Sequence, residues 1–382
     1  MTTANFFYGK QSIDSTDVNE VVKSLKKNLI TGGDYVRKFE DSCRKKIHAK
    51  YALACNSGTS AILLAYLAIG VKKGDIIIMP AVNFIAAANM AKSLGVKVYL
   101  ADIDSSTGQI TQETVLTCIK NNNIKKIKAL LIMYMGGYPR SIIEFYKLKK
   151  KLNCYLIEDA CHAFGSSYYL NKKKYMIGSC AHSDISTFSF HPLKSITTGE
   201  GGLISTNIKS VSDKIKLFRS HGIKKSKFYW DYSVESLGYN FRLSDINCAL
   251  GFSQLKKLKS FLGKRKLIYN IYKKEFKNNK YIKIISVENN TSPSYHLVIS
   301  LIDFKKLGIT KNFFFQELQK KKIYCQYHYI PIFFFKNFIL KNSKILQNSY
   351  EYYNQAVSFP VYYDLKIKDL YKIIIEIKKI LL

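Results

Sequence analysis

The chain has 382 residues, 47% of them hydrophobic, which suits a large domain with a buried core and a smaller second one. No run of about 18 uncharged apolar residues occurs, which argues against a transmembrane helix, and the stretch from Met1 to Phe6 lacks the basic and apolar regions of a signal peptide. The formal charge of +33 raises nucleic acid as a partner, but the 60 Lys and Arg residues are spread from Lys10 to Lys379 without massing, and they are expected to be solvated faces.

Eight cysteines are scattered with no CxxC pair. In a chain of this length the pattern fits reduced thiols in a cytoplasmic protein, with no disulfide framework and no zinc site.

Between about residues 50 and 205, short apolar runs alternate with amphipathic segments. Ile76–Met79, Val96–Leu100, Ala129–Met133 and Tyr155–Ile157 are predicted strands. Helices are expected over Ala86–Leu94, from a Thr111 cap toward Ile119, and from Ser141 to Leu152. Such alternation builds βαβ units around a mainly parallel sheet, whose ligands gather at the carboxyl ends of the strands. Beyond about residue 250 the pattern becomes α+β. A Lys-rich helix over Leu255–Asn278 precedes strands at Ile282–Ser286 and His296–Ile302 and helices at Lys311–Lys322 and Ile367–Leu381. The expected division is residues 1–250 as the large domain, its N-terminal segment contributing to the site, and 251–382 as the small one.

Three segments carry chemistry. In Cys55-Asn-Ser-Gly-Thr-Ser-Ala61 a strand end turns through glycine into a helix, which makes either a phosphate-binding turn or a simple N-cap. In Ile157-Glu-Asp-Ala-Cys-His-Ala163 a carboxylate at a strand end either holds a proton on a ring nitrogen or caps a following helix. In Ser189-Phe-His-Pro-Leu-Lys194, followed by Thr197-Thr-Gly-Glu-Gly-Gly202, a strand delivers one lysine into a loop closed by glycines and hydroxyl residues. Lys194 there is either a surface lysine or a buried amine of lowered pKa, the form a Schiff base requires. Together, in this order on β/α structure, the three supply a phosphate anchor, a pyridinium partner and an aldehyde partner, the parts that pyridoxal 5′-phosphate (PLP) needs.

Phe190-His-Pro-Leu-Lys194, Glu158-Asp-Ala-Cys-His-Ala163 and Leu237-Gly-Tyr-Asn-Phe-Arg-Leu-Ser-Asp245 resemble the DegT/DnrJ/EryC1/StrS family of sugar-nucleotide aminotransferases. The resemblance runs from Thr31 to the last helix. It implies PLP fold type I, with an aspartate-aminotransferase-like α/β large domain and a smaller α+β domain. Leu217-Phe-Arg-Ser-His-Gly222, Asn240-Phe-Arg-Leu243, Ser253-Gln-Leu-Lys-Lys257 and Gln326-Tyr-His-Tyr-Ile-Pro-Ile332 resemble most the members that act in pseudaminic acid biosynthesis. Their substrate is a UDP-linked 4-keto-6-deoxy-N-acetylhexosamine, and the nitrogen donor implied is an amino acid, L-glutamate.

By the same resemblance, Lys194 forms the Schiff base and shuttles the proton, and Asp159 pairs with the pyridinium. His162 faces the phenolic oxygen, Phe84 stacks on the ring, and Gly58, Thr59 and Ser189 hold the phosphate. Asn240 reaches the phosphate of the neighbouring subunit's cofactor, which implies a homodimer with shared active sites. Asn83 stands where a Thr or Ser is frequent before the stacking aromatic. Four alternatives remain at this stage: an aminotransferase for another nucleotide-linked keto-sugar, a PLP sugar dehydratase, a catalytically silent PLP-fold protein, and a nucleic-acid binder resting on charge alone. In the dehydratases histidine replaces the lysine, which is present here as Lys194.

Overall fold

The computed structural model describes residues 5–228, 230–338 and 346–381. Tyr229, within the aromatic run Phe228–Tyr232, lies outside them.

A seven-stranded sheet forms the centre, in the spatial order Tyr51–Cys55, Gly202–Thr206, Ile185–Ser189, Tyr155–Asp159, Ala129–Met133, Ile76–Pro80, Lys97–Ala101. Gly202–Thr206 runs antiparallel to both its neighbours, and the other pairings are parallel. Apolar runs such as Ala129–Met133, buried at every position, fit a sheet covered on both faces. Two of the helices there begin on side-chain caps. Thr111 and Thr114 form a reciprocal capping box, and Ser57 Oγ accepts the Ser60 N–H at 3.1 Å. The strand expected at Val96 begins one residue later, and that at Tyr155 runs on to Asp159.

The C-terminal part has a three-stranded antiparallel sheet, Ile282–Ile284, Val298–Ile302 and Ala356–Phe359, covered by the helices Lys311–Lys320 and Ile367–Ile380. The Lys-rich helix starts ten residues before the expected Leu255 and spans Asp245–Glu275. Residue 250 therefore falls within it. Its Cys248, Leu258 and Phe261 pack in the large core, whereas Ile268, Tyr269 and Tyr272 pack in the small one. The short strand Phe6–Phe7 pairs parallel with Ile323–Tyr324, so the N-terminal segment is tied to the C-terminal part.

Among the helices that the sequence pattern did not anticipate are Ser15–Leu25 and Asp34–Ile47. Both pack on the long helix. The second is capped from a distance: the buried Asp245 carboxylate accepts the N–H groups of Gly33 at 2.7 Å and Tyr35 at 2.8 Å. This gives the last residue of the Leu237–Asp245 motif a structural task.

Candidate active site

The carboxyl ends of Tyr51–Cys55, Tyr155–Asp159 and Ile185–Ser189 meet at one edge of the sheet, around a cavity of about 370 Å³. After Cys55 the chain turns at Asn56, whose N–H donates to Phe241 O at 2.9 Å. The eleven-residue helix Gly58–Ala68 begins there. Ser57 is its N-cap, yet the N–H groups of Gly58 and Thr59 keep no protein partner among the described residues. The cap thus leaves two free donors at the positive end of a helix dipole, an arrangement that suits an anion.

The acidic segment corrects one reading. No helix follows Asp159; the chain turns instead through Ala160–Gly165, where Gly165 has φ +92°, so Asp159 is not an N-cap. Its carboxylate is 3% exposed and accepts the Cys161 N–H at 3.2 Å. Burial pushes its pKa up, against the Cys161 hydrogen bonds and the Lys194 charge, which pull it down.

Lys194 is held by its loop. Phe190 O accepts from Thr197 Oγ1 and from Thr198 N, each at 3.0 Å. Thr197 Oγ1 in turn accepts Gly199 N at 2.9 Å, and Asn247 Nδ2 donates to Thr198 O at 2.6 Å. Gly202 allows close approach, since a Cβ there would lie 2.3 Å from Ser57 O. The two threonines are thus backbone ties. Burial lowers the Lys194 amine pKa, and the nearby Arg265 guanidinium adds to this, opposed by Cys161 and Asp159. Arg265 is itself 3% exposed and donates to the carbonyls of His296 and Val361, both at 3.1 Å. Lys194 and Asp159 line the same cavity, yet neither forms a salt bridge with the other or with anything else among the described residues.

Phe84 and Ser189 also line this cavity, so seven of the eight residues singled out in the sequence converge. Phe84 is 53% exposed, its ring centroid 5.7 Å from that of Tyr329. His162 is 2% exposed, and both its ring nitrogens meet protein groups: Gly136 N donates to Nδ1 at 3.3 Å, and Tyr329 Oη lies 2.8 Å from Nε2. Asn240 is not brought to the cavity of its own chain. It is exposed and bridges to Ser220.

Sequence reasoning missed Tyr8, His296 and His328, which form a wall with Tyr329. Tyr8 follows the strand Phe6–Phe7 and the two histidines come from the C-terminal part, and no spacing links them to the lysine loop. Burial disfavours the charged form of these imidazoles, lowering His162 and His296 well below the ordinary range and His328 to about 3; His191, a fourth histidine lining the cavity, is lowered as well.

A mainly parallel α/β sheet that gathers two free helix donors, a buried carboxyl group and a half-buried lysine of lowered pKa at one edge has the architecture of a fold type I PLP enzyme. The family model of the DegT/DnrJ/EryC1/StrS aminotransferases matches residues 11–378, and the chain belongs to that family of PLP-dependent enzymes.

Among its relatives, the UDP-4-amino-4,6-dideoxy-N-acetyl-beta-L-altrosamine transaminase of Campylobacter jejuni strain 81-176 is 38% identical over 380 residues, covering 97% of this chain and 98% of that one. The GDP-perosamine synthase of Escherichia coli O157:H7 is 34% identical over 281 residues, covering 74% and 72%. The solved structure of Helicobacter pylori PseC, an aminotransferase involved in the biosynthesis of pseudoaminic acid, superposes with a TM-score of 0.91 at 31% identity, covering 99% of both chains.

Proposed function

We propose that this aminotransferase moves an amino group from an amino acid, L-glutamate, to C4 of a UDP-linked 4-keto-6-deoxy-N-acetylhexosamine. The observation that carries the cofactor reading is the placing of Lys194 and Asp159: an amine and a carboxyl group in one cavity that form no ion pair. A buried charge left unpaired costs several kcal/mol. A ring with an aldehyde at one end and a basic nitrogen at the other would engage both residues.

The residues fit PLP. Gly58 N, Thr59 N and Ser189 Oγ would hold the phosphate, Asp159 would keep the ring nitrogen protonated, and Phe84 would cover one face. When bound, PLP supplies an electron sink that lets a C–H bond beside nitrogen lose its proton. Lys194, its amine made less basic by burial, would hold and move that proton. The Thr197 hydroxyl and the Thr198 N–H, both donating to Phe190 O, fix where the lysine starts.

The choice of sugar is supported by relatives from two Campylobacter jejuni strains, 38% and 37% identical over 97% of the chain and carrying the altrosamine transaminase name. The perosamine synthase match supports a second reading, a GDP-linked substrate, over a shorter span. In our reading the enzyme is a homodimer with shared sites, and it works in the cytoplasm, which the eight free cysteines suit. The test is incubation with PLP, glutamate and a panel of UDP-, dTDP- and GDP-linked 4-keto-6-deoxy sugars, with products identified by mass and NMR. Amination of the UDP-N-acetyl sugar at C4 is expected; turnover confined to a GDP- or dTDP-linked sugar would refute the substrate.

A further inference from the structure

The wall formed by the imidazoles and Tyr329 has a defined proton order. A backbone N–H only donates, so His162 Nδ1, which meets Gly136 N at 3.3 Å, carries no proton. Burial keeps the imidazole neutral, with Lys194 and His328 acting in the same direction. Its one proton is therefore on Nε2 and is donated to Tyr329 Oη at 2.8 Å. Oη has no other partner among the described residues, so the phenol's own hydrogen is left for the cavity. Burial also raises the phenol's pKa well above its ordinary value, so that hydrogen stays in place.

The chemistry of PLP says what would receive it. The aldehyde carbon lies between the ring carbon bearing the phosphate arm and the one bearing the phenolic oxygen. With Lys194 at the aldehyde and the arm at Gly58 and Ser189, the phenolic oxygen falls on the other side. Two groups of cavity side chains pack among themselves. In one, Gly58, Cys161 and Ser189 crowd together, a Cβ at Gly58 meeting Ser189 Cβ at 2.9 Å and Cys161 Sγ at 3.4 Å. In the other, His162 lies 4.3 Å from His296, and His328 lies 4.9 Å from Tyr329, centroid to centroid.

We propose that Tyr329 donates the hydrogen bond to the cofactor's phenolic oxygen, and that His162 stands behind it as the positioning residue that fixes the direction of that hydrogen. This rests on the PLP reading above and moves the direct contact from His162, where the sequence resemblance puts it, to a residue of the small domain.

The test is a spectrophotometric pH titration of the PLP-loaded protein without substrate. The visible band reports the proton shared between the Lys194 nitrogen and the phenolic oxygen. A donor to that oxygen favours its bare anionic form and so lowers the pH at which the proton leaves. Tyr329→Phe, which keeps the ring against Phe84 and His328, should raise that midpoint by about one to two pH units. His162→Leu should raise it by less, and the double variant by no more than Tyr329→Phe alone. A midpoint unmoved in Tyr329→Phe but raised in His162→Leu would overturn the proposal and return the contact to His162. If wild-type protein with PLP shows no visible band at any pH, the cofactor reading itself fails, and this proposal fails with it.

Discussion

Gly58 and Ser189 approach so closely that a methyl group on the first would stand 2.9 Å from Cβ of the second. The contact joins the start of the helix Gly58–Ala68 to the end of the strand Ile185–Ser189, and it leaves no room for a side chain where the phosphate is proposed to bind. Gly58→Ala should therefore push the two free N–H donors away from the cavity. PLP affinity is expected to fall by at least about tenfold, on the order of 1.4 kcal/mol, with the melting temperature of the apoprotein changed far less. Unchanged affinity, measured by fluorescence titration, would remove this turn from phosphate binding.

Asp159 should matter to chemistry more than to folding. Asp159→Asn keeps the shape but loses the charge that holds a proton on the ring nitrogen. Turnover should drop by about a hundredfold or more, near 3 kcal/mol, in a protein that still folds and binds PLP. Near-normal turnover would take Asp159 out of that role.

The imidazole wall sets a pH dependence of stability. His328 is 5% exposed and its pKa is lowered from 6.5 to about 3, chiefly by burial. Below about pH 6.5 the unfolded chain takes up a proton that the folded chain refuses, so this contribution to stability is present above 6.5 and is lost as the pH falls toward 3. Between pH 7 and pH 5 the loss from His328 alone should be about 2 kcal/mol. Urea unfolding at both values, compared between wild type and His328→Asn, should show a smaller drop in the variant. Equal drops would mean that His328 is already charged in the folded state.

Much of the large domain was legible because its signals are local. The runs Ile76–Met79 and Ala129–Met133 are apolar on both faces, Thr111 caps its helix, and the Lys194 loop sets a lysine beside small, hydroxyl and glycine residues. Three things were not legible. Asp34–Ile47 is capped by Asp245, more than 200 residues away, so no nearby residue marks its start. The long helix runs on from the large core into the small one, and composition alone could not place the change. Tyr8 and Tyr329 reach the cavity only through the fold, one by way of the strand pairing of Phe6–Phe7 with Ile323–Tyr324.

Asn240 carries the assembly prediction. It is exposed and absent from its own chain's cavity, and nearby Trp230, Tyr232 and Leu237 leave 67%, 60% and 92% of their surface uncovered. If a second copy covers this region and Asn240 reaches the partner's phosphate, Lys194→Ala and Asn240→Ala should complement each other. A mixed dimer then has one site with both defects and one with neither, so up to about half of its sites should recover activity. No recovery in verified mixed dimers, or a fully active monomer, would show that the sites are not shared.

The central claim is that Lys194 is the amine that carries PLP. It is tested most directly by reducing the PLP-loaded wild-type protein with borohydride and mapping the labelled peptide by mass spectrometry. One phosphopyridoxyl group per chain, on the peptide containing Lys194, is the predicted result, with the visible band lost on reduction. Label on any other lysine as the main product, or no label on a protein that retains aminotransferase activity, would contradict the account.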